Sequence, residues 1–140
     1  MKIAIGSDHH GVALKHTLLA SVLAGHDVAD LGTHGEDPVD YPDVARQVAE
    51  AVARGTVERG ILICATGIGM AMAAGRVAGV RVARCTEPYS AEMSRRHNDA
   101  NVLCLGAEVV GAWMAERITT AWLEIPFEGG RHARRVAKIG

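Results

Sequence analysis

Ile61-Leu62-Ile63-Cys64-Ala65-Thr66-Gly67-Ile68-Gly69-Met70 lies near the middle of this 140-residue chain. Its first half is a short apolar run of the kind that forms a buried strand. A threonine and two glycines interrupt it, and an Ala- and Met-rich segment of helical character follows at once. A strand that passes through a tight turn straight into a helix is half of a βαβ unit. The turn also gathers a thiol, a hydroxyl and several free backbone N–H groups into one small volume.

The same alternation extends in both directions. Short apolar runs predict strands over 2–6, 28–31, 60–64, 80–84 and 102–105. Helical spacing predicts helices over 12–24, 43–54, 69–77, 88–96 and 109–123. Gly25, Pro42 and Gly55 stand at the boundaries as stop and start signals. Strand and helix alternate five times, which argues for an α/β fold: a five-stranded parallel sheet with helices on both faces, in three layers. The length suits one domain over residues 1–140, ending in a basic tail from about residue 129.

Composition narrows the function classes. With two Trp, two Tyr and one Phe, the core must be aliphatic. A formal net charge of −1 offers no bulk attraction to nucleic acid or to a membrane surface. The three cysteines, Cys64, Cys85 and Cys104, are odd in number and widely spaced, which argues against a zinc knuckle or redox dithiol. The N-terminal run is too short for a signal peptide or membrane span, so a reducing, cytoplasmic setting is expected.

In a parallel sheet, ligands bind beyond the carboxyl ends of the strands. The segments there are Ser7–Gly11, Gly32–Gly35, Ala65–Gly69, Cys85–Glu87 and Gly106–Glu108. Cys64 heads the candidates. Near N–H donors its thiolate form is favoured, and Thr66 with the turn's N–H groups suits an oxyanion. The plainer reading is a buried strand cysteine before a close-packed turn. Asp8-His9 suits proton transfer or anion binding, and equally a helix cap. His97-Asn98-Asp99-Ala100-Asn101 reads as a helix end followed by turn formers. Arg131 and Arg135 share a face if the tail is helical and then suit a phosphate; otherwise they belong to a solvated tail. A dinucleotide fingerprint is absent, because Met72 occupies the third glycine position after Gly67 and Gly69, and no Walker-type lysine is present.

Taken in order, Ser7-Asp8-His9, Asp40-Tyr41-Pro42, Gly60 to Gly69, Glu87-Pro88-Tyr89-Ser90-Ala91, His97 to Asn101 and Gly129-Gly130-Arg131-His132 resemble one family over nearly the whole chain. It is the type B ribose-5-phosphate isomerases, grouped with the galactose-6-phosphate isomerase subunits. The resemblance implies a Rossmann-like sheet and an aldose–ketose isomerase that needs no metal and no cofactor. It implies Cys64 as the base between C1 and C2 of a sugar phosphate, with Thr66 and the N–H groups around Gly67 and Gly69 on the enediolate. His97 with Asp8 would assist ring opening, and Asn98 and Tyr41 would contact sugar hydroxyls. His9, Arg131 and Arg135 would hold the phosphate, with His132 close by. A homodimer or a tetramer of dimers with a shared site is implied.

Three positions depart from the family pattern. Glu108 stands where Arg is frequent, Gly75 where Asn is frequent, and His10 where a small or aliphatic residue is frequent. Glu108 either pairs with an arginine such as Arg134 and leaves the phosphate site working, or marks a different sugar or sugar phosphate; the presence of both Arg131 and Arg135 favours a working phosphate site. Two other classes stand beside the isomerase: a non-catalytic sugar-phosphate-binding subunit, and a metal-dependent hydrolase built on Asp8, His9 and His34.

Overall fold

A computed structural model describes residues Met1–Gly140. Five strands form one parallel sheet: β1 (Lys2–Ser7), β2 (Asp27–Asp30), β3 (Arg59–Cys64), β4 (Val82–Arg84) and β5 (Val102–Gly106), in the order β2-β1-β3-β5-β4. The helices are α1 (Val12–Ala20), α2 (Tyr41–Ala53), α3 (Ile68–Ala74), α4 (Pro88–Asn98), α5 (Ala112–Glu124) and α6 (Arg131–Ile139). A single 3-10 turn, His9–Gly11, joins β1 to α1. No helix is long and apolar enough to cross a membrane.

Side-chain alternation along the strands divides the core into two. Ile3, Ile5, Ile61, Ile63, Leu103 and Leu105 point to one face, where Leu14, Leu18, Ile118 and the fully buried Trp122 cover them. Ala4, Leu62, Cys64, Val102 and Cys104 point to the other, under Val44, Val48, Met70 and Ala74. Cys64 thus sits on the α2–α3 side of the sheet.

Several boundaries differ from the sequence reading, each for a local reason. α1 stops at Ala20, four residues early. Thr17 and Ser21 turn their hydroxyls back onto the carbonyls of Ala13 and Thr17, an arrangement that bends helices and competes with their continuation. β4 begins at Val82 because the Arg81 N–H donates to the Asn101 side chain (2.7 Å). α5 begins at Ala112, since the N–H groups of Val109 and Val110 both turn back to the Gly106 carbonyl. The basic tail is itself a helix, α6, anchored by the buried His132.

One buried cation steers the loop after β2. Lys15 is fully buried, and its Nζ donates to Asp30 Oδ1 (2.7 Å) and to the Thr33 carbonyl (2.5 Å). Gly32 N–H adds a third donor interaction, with Asp30 Oδ1 (3.0 Å). Gly32 and Thr33 in turn exchange backbone hydrogen bonds with Ser7, each 2.6 Å long. The end of β1, where Asp8 and His9 emerge, is therefore braced by this loop.

Candidate active site

The strand order reverses between β1 and β3, and the crevice opens beyond their carboxyl ends, where such sheets bind ligands. Asp8 follows β1 and Cys64 ends β3; the Asp8 N–H donates to the Ile63 carbonyl (3.1 Å), which ties the two together. A cavity of about 430 Å³ lies there, lined among others by Asp8, His10, Tyr41, Cys64, Thr66 and Gly69. A larger one, about 540 Å³, follows the edge strand β4 and includes Asn98, but it holds no thiol, carboxylate or imidazole. Chemistry rather than size selects the first.

Cys64 is a free thiol, nearly buried, and its sulfur accepts from the Gly67 N–H (3.2 Å). Thr66 Oγ accepts from the Ile68 N–H (3.2 Å), so the hydroxyl proton remains available to a ligand oxygen. The N–H groups of Gly69 and Met70, in the first turn of α3, make no hydrogen bond within the protein. Three donors thus gather beside one thiol. Gly67 adopts φ +78°, a left-handed turn that a side chain would strain. Gly69 serves a different end: a Cβ there would lie 2.6 Å from the Tyr41 ring, so the glycine lets Tyr41 rest on the turn.

Asp8 caps the 3-10 turn through Oδ1, which accepts from the His10 N–H (2.9 Å), while Oδ2 faces His10 Nδ1 at 3.3 Å. The cap is thus formed, and Asp8 also lines the cavity. His9 stacks on His10 with centroids 4.1 Å apart, and its Nδ1 accepts from the Val39 N–H (3.3 Å). An accepting Nδ1 leaves the neutral ring's proton on Nε2. Donor atoms of Asp8, His9 and His10 lie within 4.8 Å of one another, whereas the exposed His34 faces Asp30 instead.

The remaining candidates collect elsewhere. His97 and Asn98 close α4, just before β5 begins, whereas Cys64 is paired with the far end of β5 at Gly106. The two groups are separated by roughly the 15 Å length of a five-residue strand. His97 stacks on His132 with centroids 4.3 Å apart and planes 12° from parallel. Burial, then the neighbouring His97 and Arg131, pull the His132 imidazole below its ordinary pKa. Arg131 and Arg135 are exposed, one turn apart on α6. Within one chain, then, His97 does not meet Asp8.

Glu108 is exposed, and its backbone N–H donates to the Ala65 carbonyl (3.0 Å), which sets it beside the Cys64 turn. Its carboxylate forms no ion pair, with Arg134 or any other residue of the chain. The sequence reading also passed over Arg84. This last residue of β4 donates through Nε and Nη2 to the Thr66 carbonyl (3.0 and 2.9 Å). Its one sequence signal was its place at a strand's carboxyl end.

A model of the family described as "Ribose/Galactose Isomerase" matches residues 3–139. The chain belongs to that family. It is 52% identical to the ribose-5-phosphate isomerase B of Escherichia coli, over 99% of this chain and 93% of that protein. It is 45% identical to the D-erythrulose-4-phosphate isomerase of Pectobacterium atrosepticum, over 100% of this chain and 93% of that protein. The structure of Clostridium thermocellum ribose-5-phosphate isomerase B superimposes with a TM-score of 0.97 at 54% identity, covering all of this chain and 95% of the other. The Rossmann-like fold and the isomerase class expected from the resemblance stand.

Proposed function

We propose that this sugar-phosphate isomerase interconverts ribose 5-phosphate and ribulose 5-phosphate through a cis-enediolate, with Cys64 as the base. The observation that carries the reading is the Cys64 sulfur in a cavity beside three unspent donors: Thr66 O–H and the N–H groups of Gly69 and Met70. Such donors stabilise charge that develops on oxygen during proton abstraction. The thiolate takes the proton from C2 of the open-chain aldose, and the C2–H electrons form the C1–C2 double bond. The C1 carbonyl pair moves onto O1. The thiol then returns the proton to C1 while the O2 proton passes to O1, which leaves the ketose. Asp8 and Tyr41 line the same cavity and contact the sugar; His9 Nε2–H donates to the phosphate.

The remaining groups, His97 for ring opening, Asn98 for a hydroxyl, and Arg131, His132 and Arg135 for the phosphate, come from a second copy of the chain. Two features support this. His97 and Asn98 lie at the opposite end of β5 from their own chain's Cys64, with His132 stacked on His97, and the cavity is rimmed by exposed Ile68, Met72 and Tyr41. The assembly is a homodimer, or a pair of them, with the site at the interface.

Turnover on a panel of tetrose, pentose and hexose phosphates tests the reading. Ribose 5-phosphate should be the best substrate, and Cys64→Ala should lower kcat by about 10²–10⁴-fold, the usual worth of a general base. No turnover on any aldose phosphate from folded protein would overturn it. Retained turnover in Cys64→Ala would reassign the base. Glu108 supports a second reading, a different preferred sugar, since a carboxylate with no ion pair in its own chain stands beside the turn. A best substrate other than ribose 5-phosphate would favour that one.

A further inference from the structure

The loop that carries Cys64 and Thr66 is held from outside at three successive carbonyls. The Cys64 carbonyl accepts from the Ala107 N–H (2.8 Å), and the Ala65 carbonyl from the Glu108 N–H (3.0 Å). Both donors belong to the backbone after β5 and come with the fold. The third carbonyl, of Thr66, has no backbone donor. It is packed so closely on Gly106 that a Cβ there would lie 2.6 Å from the oxygen. Its donors are Nε and Nη2 of Arg84, both on the one oxygen. Arg84 makes no ion pair within the chain, so its charge is directed to this carbonyl alone.

The Thr66 carbonyl and the Gly67 N–H belong to one planar, trans peptide group and point in opposite directions. Whatever fixes the oxygen fixes the N–H, and that N–H donates to the Cys64 sulfur at 3.2 Å. With φ +78°, Gly67 offers little backbone resistance to rotation of this peptide, so the outside hold matters. A guanidinium on the carbonyl also polarises the peptide and strengthens the N–H as a donor.

We propose that Arg84 is a positioning residue for Cys64: its two-pronged hold on the Thr66 carbonyl sets the Thr66–Gly67 peptide so that the Gly67 N–H is delivered to the sulfur. Arg84 thereby favours the thiolate through a shared peptide and touches neither substrate nor sulfur. The inference rests on the reading of Cys64 as the base for its catalytic consequence, but its first consequence, on the reactivity of the thiol, is independent of any substrate. The other titratable or charged groups near Cys64 are Asp8 and His10 after β1, Tyr41 from α2, Glu108 after β5 and Cys104 within β5. All of them stay unchanged in the variants below.

The test is the pH dependence of Cys64 alkylation by iodoacetamide, located by peptide mass, in the wild type and in Arg84→Met, Arg84→Gln and Arg84→Lys. The other two cysteines interfere little, since burial pushes the Cys85 thiol up to about 11 and raises the Cys104 thiol further. In Arg84→Met the profile should move up by about one pH unit, equivalent to one charge-assisted hydrogen bond. Arg84→Gln, which keeps a donor but no charge, should fall between, and Arg84→Lys should stay nearest the wild type. In ribose 5-phosphate turnover, kcat of Arg84→Met should fall about tenfold with little change in KM. An alkylation profile in folded Arg84→Met that superimposes on the wild type overturns the proposal; should that variant not fold, the Arg84→Gln profile decides in the same way. Turnover that survives Cys64→Ala would instead overturn the reading of the base, and the alkylation profiles would still judge Arg84.

Discussion

At the scale of single residues, the turn after β3 works because small residues let large ones approach. Gly69 is the clearest case, since the Tyr41 ring occupies the space that a Cβ would take. Gly69→Ala keeps α3 intact, because alanine is the better helix former. It must, however, push the Tyr41 ring aside, and a misplaced contact costs far more in binding geometry than in stability. KM for the sugar phosphate should rise roughly tenfold while the melting temperature barely moves. An unchanged KM would remove Tyr41 from the binding surface. The candidates within this turn were legible in the sequence because they are neighbours in the chain: Cys64, Thr66, Gly67 and Gly69 fall together on any backbone that makes a strand–turn–helix. Arg84 was not legible, because its contact with Thr66 spans 18 positions and exists only once β4 is placed beyond β5.

At the scale of elements, the loop after β2 is held by a charge inside the protein. The amine of Lys15 is fully enclosed against Asp30 and the Thr33 carbonyl. Breaking such a pair from one side leaves its partner uncompensated. Asp30 keeps a quarter of its side chain in solvent and retains Gly32 N–H, which softens the loss. Lys15→Met should cost about 3 kcal/mol, read as a lower urea midpoint with unchanged slope. A midpoint equal to the wild type would show that the loop holds itself. The alternation of elements was legible from hydrophobic period alone, but α6 was not. Only its His132 is buried, so its sequence carries little core signal, and its ordering depends on the stacking of that ring on His97.

At the scale of the whole molecule, the separation of the two groups of site residues makes a direct prediction. If one chain supplies Cys64 and its partner supplies His97, then Cys64→Ala and His97→Asn are each inactive alone, but mixed dimers contain one intact site. Random re-pairing of equal amounts should restore roughly a quarter of wild-type activity. Mixtures that stay as inactive as their parents, after exchange is verified by mass, would place the whole site within one chain. The resemblance had grouped Asp8 with His97 in a site shared between subunits, and the fold keeps the two apart within one chain. β5 lies between the loop that carries Cys64 and the end of α4 that carries His97.

The sequence by itself determined the alternating architecture and the family. Both follow from local period and short motifs, which depend on neighbours within a few residues. Only the tertiary structure decided the strand order β2-β1-β3-β5-β4, and with it the crevice between β1 and β3. It also decided the enclosure of Lys15, the hold of Arg84 on Thr66 and the distance from Cys64 to His97. These depend on contacts between segments far apart in the chain, whose pairing is chosen by how the two faces of one sheet are covered, and no local pattern encodes that choice.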